Sequence, residues 1–215
     1  MAGSSILIVD DHPLTREGLS LAARAALPGA VVVGAGSIAE GVAAMANRRR
    51  FRLILLDFQL PDSHGYAGML RLQQLDPDVP IAIVTAHEQA RLAEAARALG
   101  AAGFIFKSLP LDTIASILRT ILSGGTHFPE GAGIDRTIAA ARLRIQELSR
   151  AQYGVLMALA DGRANKQIAY DLSITEATVK AHMTAIFRKL GVTNRSQALL
   201  AVRPLLQLDD VSSEA

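Results

Sequence analysis

The chain of 215 residues is half hydrophobic, yet aromatics make up only 4% of it and Trp is absent, so its cores must be built from Leu, Ile, Val and Ala. Without Cys, disulfides, thiolate metal sites and a Cys nucleophile are excluded, and a net charge of +2 decides little by itself. No apolar run approaches the roughly 18 residues of a membrane span, and the amino terminus lacks a signal core, so a soluble cytoplasmic protein with no membrane partner is expected.

In chain order, Ile6 to Val9 is an apolar run of strand length, followed at once by Asp10 and Asp11. Leu14 to Leu27 carries apolar or small residues at helical spacing and ends at Pro28-Gly29. Ala30 to Val33 predicts a second strand. A helix capped by Ser37 then runs to about Asn47, with Arg48-Arg-Arg50 behind it. Leu53 to Leu56 reads as a strand buried on both faces and delivers Asp57 to its end. Further helices are predicted over Gly65–Leu75, Glu88–Leu99 and Asp112–Leu122. Between them, strands Ile81–Val84 and Gly103–Phe106 end in Thr85 and Lys107.

Five strands alternating with five helices imply an α/β fold, a doubly wound five-stranded parallel sheet of flavodoxin-like order 2-1-3-4-5. Strands 1 and 3 are then neighbours at the switch point, so Asp10, Asp11 and Asp57 converge. Three carboxylates make an oxygen-rich site for a hard divalent cation. With a metal and Lys107 offsetting charge, Asp57 can attack a phosphoryl group. Each residue alone has an ordinary reading as a cap, loop residue or surface charge; the four strand ends together are harder to read that way.

The stretches Val9-Asp-Asp-His-Pro-Leu-Thr-Arg-Glu-Gly18, Asp57-x-x-Leu-Pro-Asp-x-x-Gly65, Val84-Thr-Ala86 and Gly103-Phe-Ile-Phe-Lys-Ser108 resemble the receiver domain of two-component response regulators over residues 4 to about 124. The resemblance implies that Asp57 is the phosphoacceptor and that Asp10, Asp11, Asp57 and the backbone carbonyl of Gln59 hold Mg²⁺. It also implies that Thr85 and Lys107 contact the phosphoryl group and that Phe104 is the switch aromatic. His64 departs from the family's small polar or acidic residue before that Gly. His12 fits the family subgroup and is expected to hold the loop rather than the metal.

Thr126 to Gly133 lacks periodicity and reads as a linker, and Ile134, Ile138, Ala141 and Ile145 mark a helix behind it. Residues 1–125 hold 11 Lys or Arg and 11 Asp or Glu, whereas residues 148–203 hold eight basic residues against three acids. A basic segment behind a neutral one suggests nucleic-acid contact. Ser149, Asn165 and Thr175 are candidate caps of three helices, the first two burying Val155, Leu156, Leu159, Ile168, Ala169 and Leu172. The last two helices are spaced as a helix-turn-helix. On the third, Val179, Met183, Ile186 and Leu190 form the inward stripe. Ala181, Thr184, Ala185 and Arg188 lie opposite, flanked by Lys180.

Leu148 to Leu156, Asn165-Lys-Gln-Ile-Ala169, Ile174 to His182 and Arg188 to Ser196 look like the LuxR-type helix-turn-helix. The whole chain then resembles a NarL/FixJ-family response regulator: a receiver over 1–125, a partly helical linker over 126–146, a DNA-binding domain over 147–208 and a disordered tail over 209–215. By that resemblance Lys180, Ala181 and Thr184 face bases, Lys166, Thr178 and Arg188 approach phosphates of double-stranded DNA, and a helix over 196–202 supplies a homodimer contact. The family's usual Arg-Glu in the first output helix is Ala151-Gln152 here, which removes an ion pair. Ala181 and Thr184 offer little to base edges, so weak direct readout centred on Lys180 is expected, helped by DNA shape.

The reading is a transcription regulator switched when a sensor histidine kinase phosphorylates Asp57 with Mg²⁺, and not an enzyme beyond autophosphorylation and slow autodephosphorylation. A regulator indifferent to phosphorylation and set by partner proteins is the alternative. A Mg²⁺-dependent phosphohydrolase needs a second carboxylate two residues past Asp57, where Gln59 stands. A small-molecule sensor needs a ligand pocket, which the acidic loops and scarce aromatics do not make.

Overall fold

The computed structural model describes residues 4–46, 50–63 and 65–206, with side chains described to residue 202. Arg48, Arg49, His64 and the 209–215 tail lie outside those residues. The chain divides into two compact units between Asp135 and Arg136.

The first unit alternates β1 (Ser5–Val9), α1 (Pro13–Ala26), β2 (Val31–Ala35), α2 (Ile38–Ala46), β3 (Phe51–Asp57), α3 (Ala67–Leu75), β4 (Ile81–Thr85), α4 (Ala90–Ala98), β5 (Gly103–Phe106) and α5 (Leu111–Leu122). The sheet is parallel and ordered β2-β1-β3-β4-β5, as the alternation of elements predicts. Every residue of β1 and β4 is buried, because a parallel sheet covered by helices on both faces leaves no solvated side. Ile6, Ile8, Leu53, Leu55, Val84 and Ile105 point to one face, where they meet Leu19, Ala22 and Ala23 of α1 and Ile114 and Leu118 of α5. Each such Leu or Ile, fully buried, contributes about 1.5–3 kcal/mol.

Several boundaries move for identifiable reasons. β2 begins one residue later than predicted and runs on to Ala35, because pairing with Val9 continues the ladder and Asp10 N–H donates to Ala35 C=O. It is the edge strand, and its exposed and half-exposed positions explain its weaker apolar signal. β3 starts at Phe51, two residues early, through pairing with Ser5. α4 starts two residues late: His87 N–H donates to Thr85 Oγ1 at 3.1 Å, and Gln89, not Glu88, stands at the N-cap in an extended conformation.

The stretch read as an unstructured linker is partly tied down. His127 pairs in parallel with Gly103, accepting from Phe104 N–H at 2.8 Å and donating to Ala102 C=O at 3.1 Å. Arg97 on α4 then clamps the next few residues: its guanidinium donates to Ala132 C=O at 2.6 Å and lies 4.9 Å from the centre of the Phe128 ring. Residues 126–135 belong with the first unit, whereas the helix after them packs in the second.

The second unit contains α6 (Arg136–Gln146), α7 (Arg150–Ala160), α8 (Asn165–Asp171), α9 (Glu176–Leu190) and α10 (Arg195–Leu206). Val155, Leu156, Leu159, Ile168, Val179, Ile186, Leu190, Ala198 and Val202 form its buried interior, joined by Ile138 and Ile145 of α6. Ser149 and Thr175 cap α7 and α9 as expected, accepting from Gln152 N–H and Thr178 N–H. Asn165 does not cap α8. It is the first helical residue, and Ala164 occupies the N-cap, its N–H satisfied by Gln167 Oε1 at 3.0 Å. Leu172 is 39% exposed rather than inward, since it is the C-cap of α8 and its helical phase ends there.

Replacing Arg97 by Ala removes both the charge-assisted hydrogen bond and the ring contact that hold residues 128–132. The expected result is faster amide exchange at His127 and a stability loss of about 1 kcal/mol, read by hydrogen-exchange mass spectrometry and urea unfolding.

Candidate functional site

Strand register decides what meets at the carboxyl edge of the sheet. Val9 stands opposite Leu56, Asp57 opposite Val84 and Thr85 opposite Phe106. Asp10, next after Val9, is therefore carried to the end of the strand beside Asp57, and Lys107, next after Phe106, to the end of β5, one strand beyond β4. A slip of one residue would turn each of these side chains to the other face.

Lys107 Nζ lies 2.7 Å from Asp57 Oδ2 and 2.8 Å from Asp10 Oδ2, and both carboxylates are almost fully buried. Asp57 Oδ1 accepts Gln59 N–H at 3.2 Å, and Asp10 Oδ1 accepts His12 N–H at 2.8 Å. Asp10 Oδ2 receives no directed hydrogen bond, although it is buried; its contact with the ammonium is a Coulombic one without donor alignment. Asp11 is more exposed, with His12 Nδ1 2.8 Å from its Oδ1. One ligand atom from each of Asp10, Asp11, His12 and Asp57 lies within 4.8 Å of the others.

Three carboxylates face one ammonium here, so the cluster is anionic. Burial is the largest influence on Asp57 and raises its pKa, with Asp10 adding to the effect and Lys107 opposing it. For Lys107, burial works against the charge, but the close contacts with the carboxylates of Asp10 and Asp57 outweigh it and hold its pKa above the ordinary lysine value. An under-satisfied buried carboxylate oxygen beside two further carboxylates is a donor set that fits a hard cation. The His12 imidazole is a softer ligand better suited to transition metals.

Thr85 is buried at the end of β4, its Oγ1 accepting His87 N–H. Phe104 is 1% exposed and meets Phe106 edge-on at 5.9 Å between ring centres. The Phe104 main chain is also the one that donates to His127, so this position touches the segment leading toward the second unit.

In the second unit, Lys166, Lys180, Ala181, Thr184 and Arg188 are exposed and Thr178 is half-buried. Thr175 and Thr178 share a hydroxyl contact at the start of α9. Thr184 Oγ1 donates back to Lys180 C=O at 3.1 Å, which leaves it lone pairs but no outward proton. Arg188 and Lys189 stand in the last turn of α9, and Gly191 closes it in a left-handed conformation.

A model of the response regulator receiver domain matches residues 6–119, and a model of bacterial regulatory proteins of the luxR family matches residues 146–202. The chain is a response regulator of the NarL/FixJ family. It is 37% identical over 208 residues to the glycerol metabolism activator of Pseudomonas putida, covering 91% of this chain and 93% of that protein. It is 28% identical over 207 residues to the nitrate/nitrite response regulator NarL of Escherichia coli, covering 93% and 94%. The structure of the two-component response regulator RcsB in complex with DNA shares the fold at a TM-score of 0.53 and 19% identity, over 94% of this chain and 99% of that one. A receiver joined to a LuxR-type DNA-binding domain makes this response regulator a two-component regulator of transcription. Among the described residues, no helix is long and apolar enough to cross a membrane.

Three side chains make contacts that escaped the sequence reading. Gln152 completes the Ser149 capping box and accepts from Lys189 Nζ at 2.8 Å. Arg16 donates to the backbone carbonyl of Asp10. Asp62 reaches across to α2. The Lys189 and Asp62 contacts join residues far apart in the chain, where local sequence carries no periodic signal.

Lys107→Met leaves two buried carboxylates without their cation. In the absence of divalent ions this is expected to cost about 3 kcal/mol at neutral pH. Losing the cation pushes Asp57 further above the unfolded carboxylate value; a raised carboxylate pKa destabilises above that value and not below it. The deficit should therefore grow as pH rises through the carboxylate range and vanish in acid, as measured by urea midpoints over a pH series.

Proposed function

We propose that Asp57 is the phosphoacceptor of this response regulator and that Asp10, Asp11, Asp57 and the main-chain carbonyl of Gln59 hold Mg²⁺. The observation that carries this reading is the buried, anionic cluster at one sheet edge, with a single ammonium bridging two of its carboxylates. A carboxylate oxygen of Asp57 forms the bond to phosphorus while the bond to the phosphohistidine nitrogen of a sensor kinase breaks, its electron pair returning to the imidazole. Bound to these oxygens, Mg²⁺ supplies positive charge to the transferring phosphoryl oxygens. Lys107, already at Asp57 Oδ2, supplies a second positive charge. Thr85 turns its hydroxyl proton toward a phosphoryl oxygen, and Phe104, already buried, is the switch aromatic that responds to that movement.

The phosphorylated state then favours a homodimer that binds double-stranded DNA. This is a population shift whose extent equals the difference in phosphoryl contacts between the two states. Lys180, Ala181 and Thr184 face base edges, while Lys166, Thr178 and Arg188 meet phosphates. The inward hydrogen bond of Thr184 and the methyl of Ala181 leave Lys180 as the principal donor to bases. α10, with Ala198 and Val202 buried and Leu200 exposed, supplies the output-domain dimer contact. Beyond accepting a phosphoryl group and slowly losing it, the chain performs no catalysis.

Asp57→Asn is expected to abolish labelling by a small acyl phosphate in Mg²⁺; label retained on the variant places the acceptor elsewhere. DNA affinity and oligomer mass that do not change with a phosphoryl mimic would favour a regulator set by partner proteins instead. In gel-shift titrations, Lys180→Ala should lose about 1–3 kcal/mol of discrimination between a target and a scrambled site.

A further inference from the structure

The loop that leaves Asp57 is fastened at a second point. Asp62 is exposed, yet each of its carboxylate oxygens accepts a backbone N–H from the start of α2: Oδ1 from Ile38 at 3.0 Å and Oδ2 from Ala39 at 2.9 Å. These residues precede it by 24 and 23 positions. The helix already has a cap from its own sequence, since Ser37 Oγ accepts Glu40 N–H at 3.2 Å and Glu40 Oε2 accepts Gly36 N–H at 2.6 Å. Asp62 takes the two remaining amides of the first turn, where the helix dipole favours a negative charge.

Asp62 therefore adds a tie from the loop to the helix. Between Asp57 and Asp62 the chain is pinned at each step: Gln59 N–H bonds to Asp57 Oδ1, Ser63 N–H bonds to Leu60 C=O, and Leu60 is buried. Gly68 of α3 closes the junction from the other side. A Cβ there would lie 2.5 Å from Ile38 Cδ1 and 2.9 Å from Ser63 Oγ, so only glycine lets α2, α3 and the loop approach this closely. Gln59 sits between the two fastenings, and its carbonyl is the proposed ligand that comes from main chain rather than from a carboxylate.

We propose that Asp62 is a positioning residue for the cation site: by tying the loop after β3 to α2, it holds the Gln59 carbonyl beside Asp10, Asp11 and Asp57. This rests on the reading of that cluster as a Mg²⁺ site. Mg²⁺ demands near-ideal octahedral geometry, so a ligand on a loosened loop binds it less well than a pre-placed one. Groups that orient metal ligands typically contribute 10- to 100-fold in affinity, and an exposed anchor belongs at the low end of that range.

The test titrates MgCl₂ into the full chain at constant ionic strength, by calorimetry and by the Mg²⁺-dependent shift of the thermal midpoint. Asp62→Ala is expected to weaken Mg²⁺ binding about tenfold. Ser37→Ala removes a cap from the same helix while leaving the loop tied, and is expected to bind as the wild type does. Wild-type affinity in Asp62→Ala overturns the proposal, as does an equal loss in Ser37→Ala, which would assign the effect to α2 in general. Should Asp62→Ala not fold, Asp62→Asn keeps one acceptor and is expected to bind between the two; wild-type binding there again overturns it. No saturable binding by the wild type overturns the cation-site reading itself, an outcome distinct from failure of the Asp62 tie.

Discussion

The geometry at the sheet's carboxyl edge depends on one ammonium shared by two buried carboxylates. Asp10 and Asp57 arrive from neighbouring strands with almost no exposure, and Lys107 stands within 2.8 Å of each. Two anions so placed and so poorly hydrated repel one another strongly, and the desolvation of each is unfavourable. Lys107 offsets part of that cost, but three carboxylates against one cation leave the edge negative. The raised pKa of Asp57 comes from burial, which outweighs the opposing contact with Lys107. An edge held in this condition favours added positive charge, which is the physical basis of the proposed cation and phosphoryl chemistry.

Around this centre the fold supplies rigidity of two kinds. The buried apolar ladders of β1, β3 and β4 set the register, and with it which strand ends are neighbours. The loops are then fixed by side chains: Asp62 on α2 and Arg97 on the segment after α5, both from distant parts of the chain, and Arg16 on the nearby Asp10 carbonyl. His127 has a particular place among these contacts. Its carbonyl accepts from the main chain of Phe104, so the segment that leaves the receiver is hydrogen-bonded to the residue proposed to respond to phosphorylation.

In the output unit one side chain joins two elements. Gln152 accepts from the Lys189 ammonium as an ion–dipole hydrogen bond, and it also completes the cap of α7. The recognition helix is held by Val179, Ile186 and Leu190. Thr184 is bonded inward, and in the proposed reading Lys180 is then the principal donor to bases.

The sequence by itself determined the order of the elements, the parallel sheet, and the arrival of Asp10, Asp57, Thr85 and Lys107 at strand ends. Those features arise from apolar runs, turn residues and caps, all of which act over a few neighbouring positions. It also placed two of three output-helix caps; Asn165 misled because Asn is a good cap anywhere near a helix start, and only the backbone shows that Ala164 precedes the first turn. Tertiary structure alone decided the sharing of Lys107 between two carboxylates, the tie from Asp62 to α2, the pairing of His127 with β5 and the hydrogen bond from Lys189 to Gln152. Each of these joins residues distant in sequence, and a hydrogen bond between distant residues leaves no periodicity behind it. It exists only once the sheet register and the helix packing have brought its two ends together.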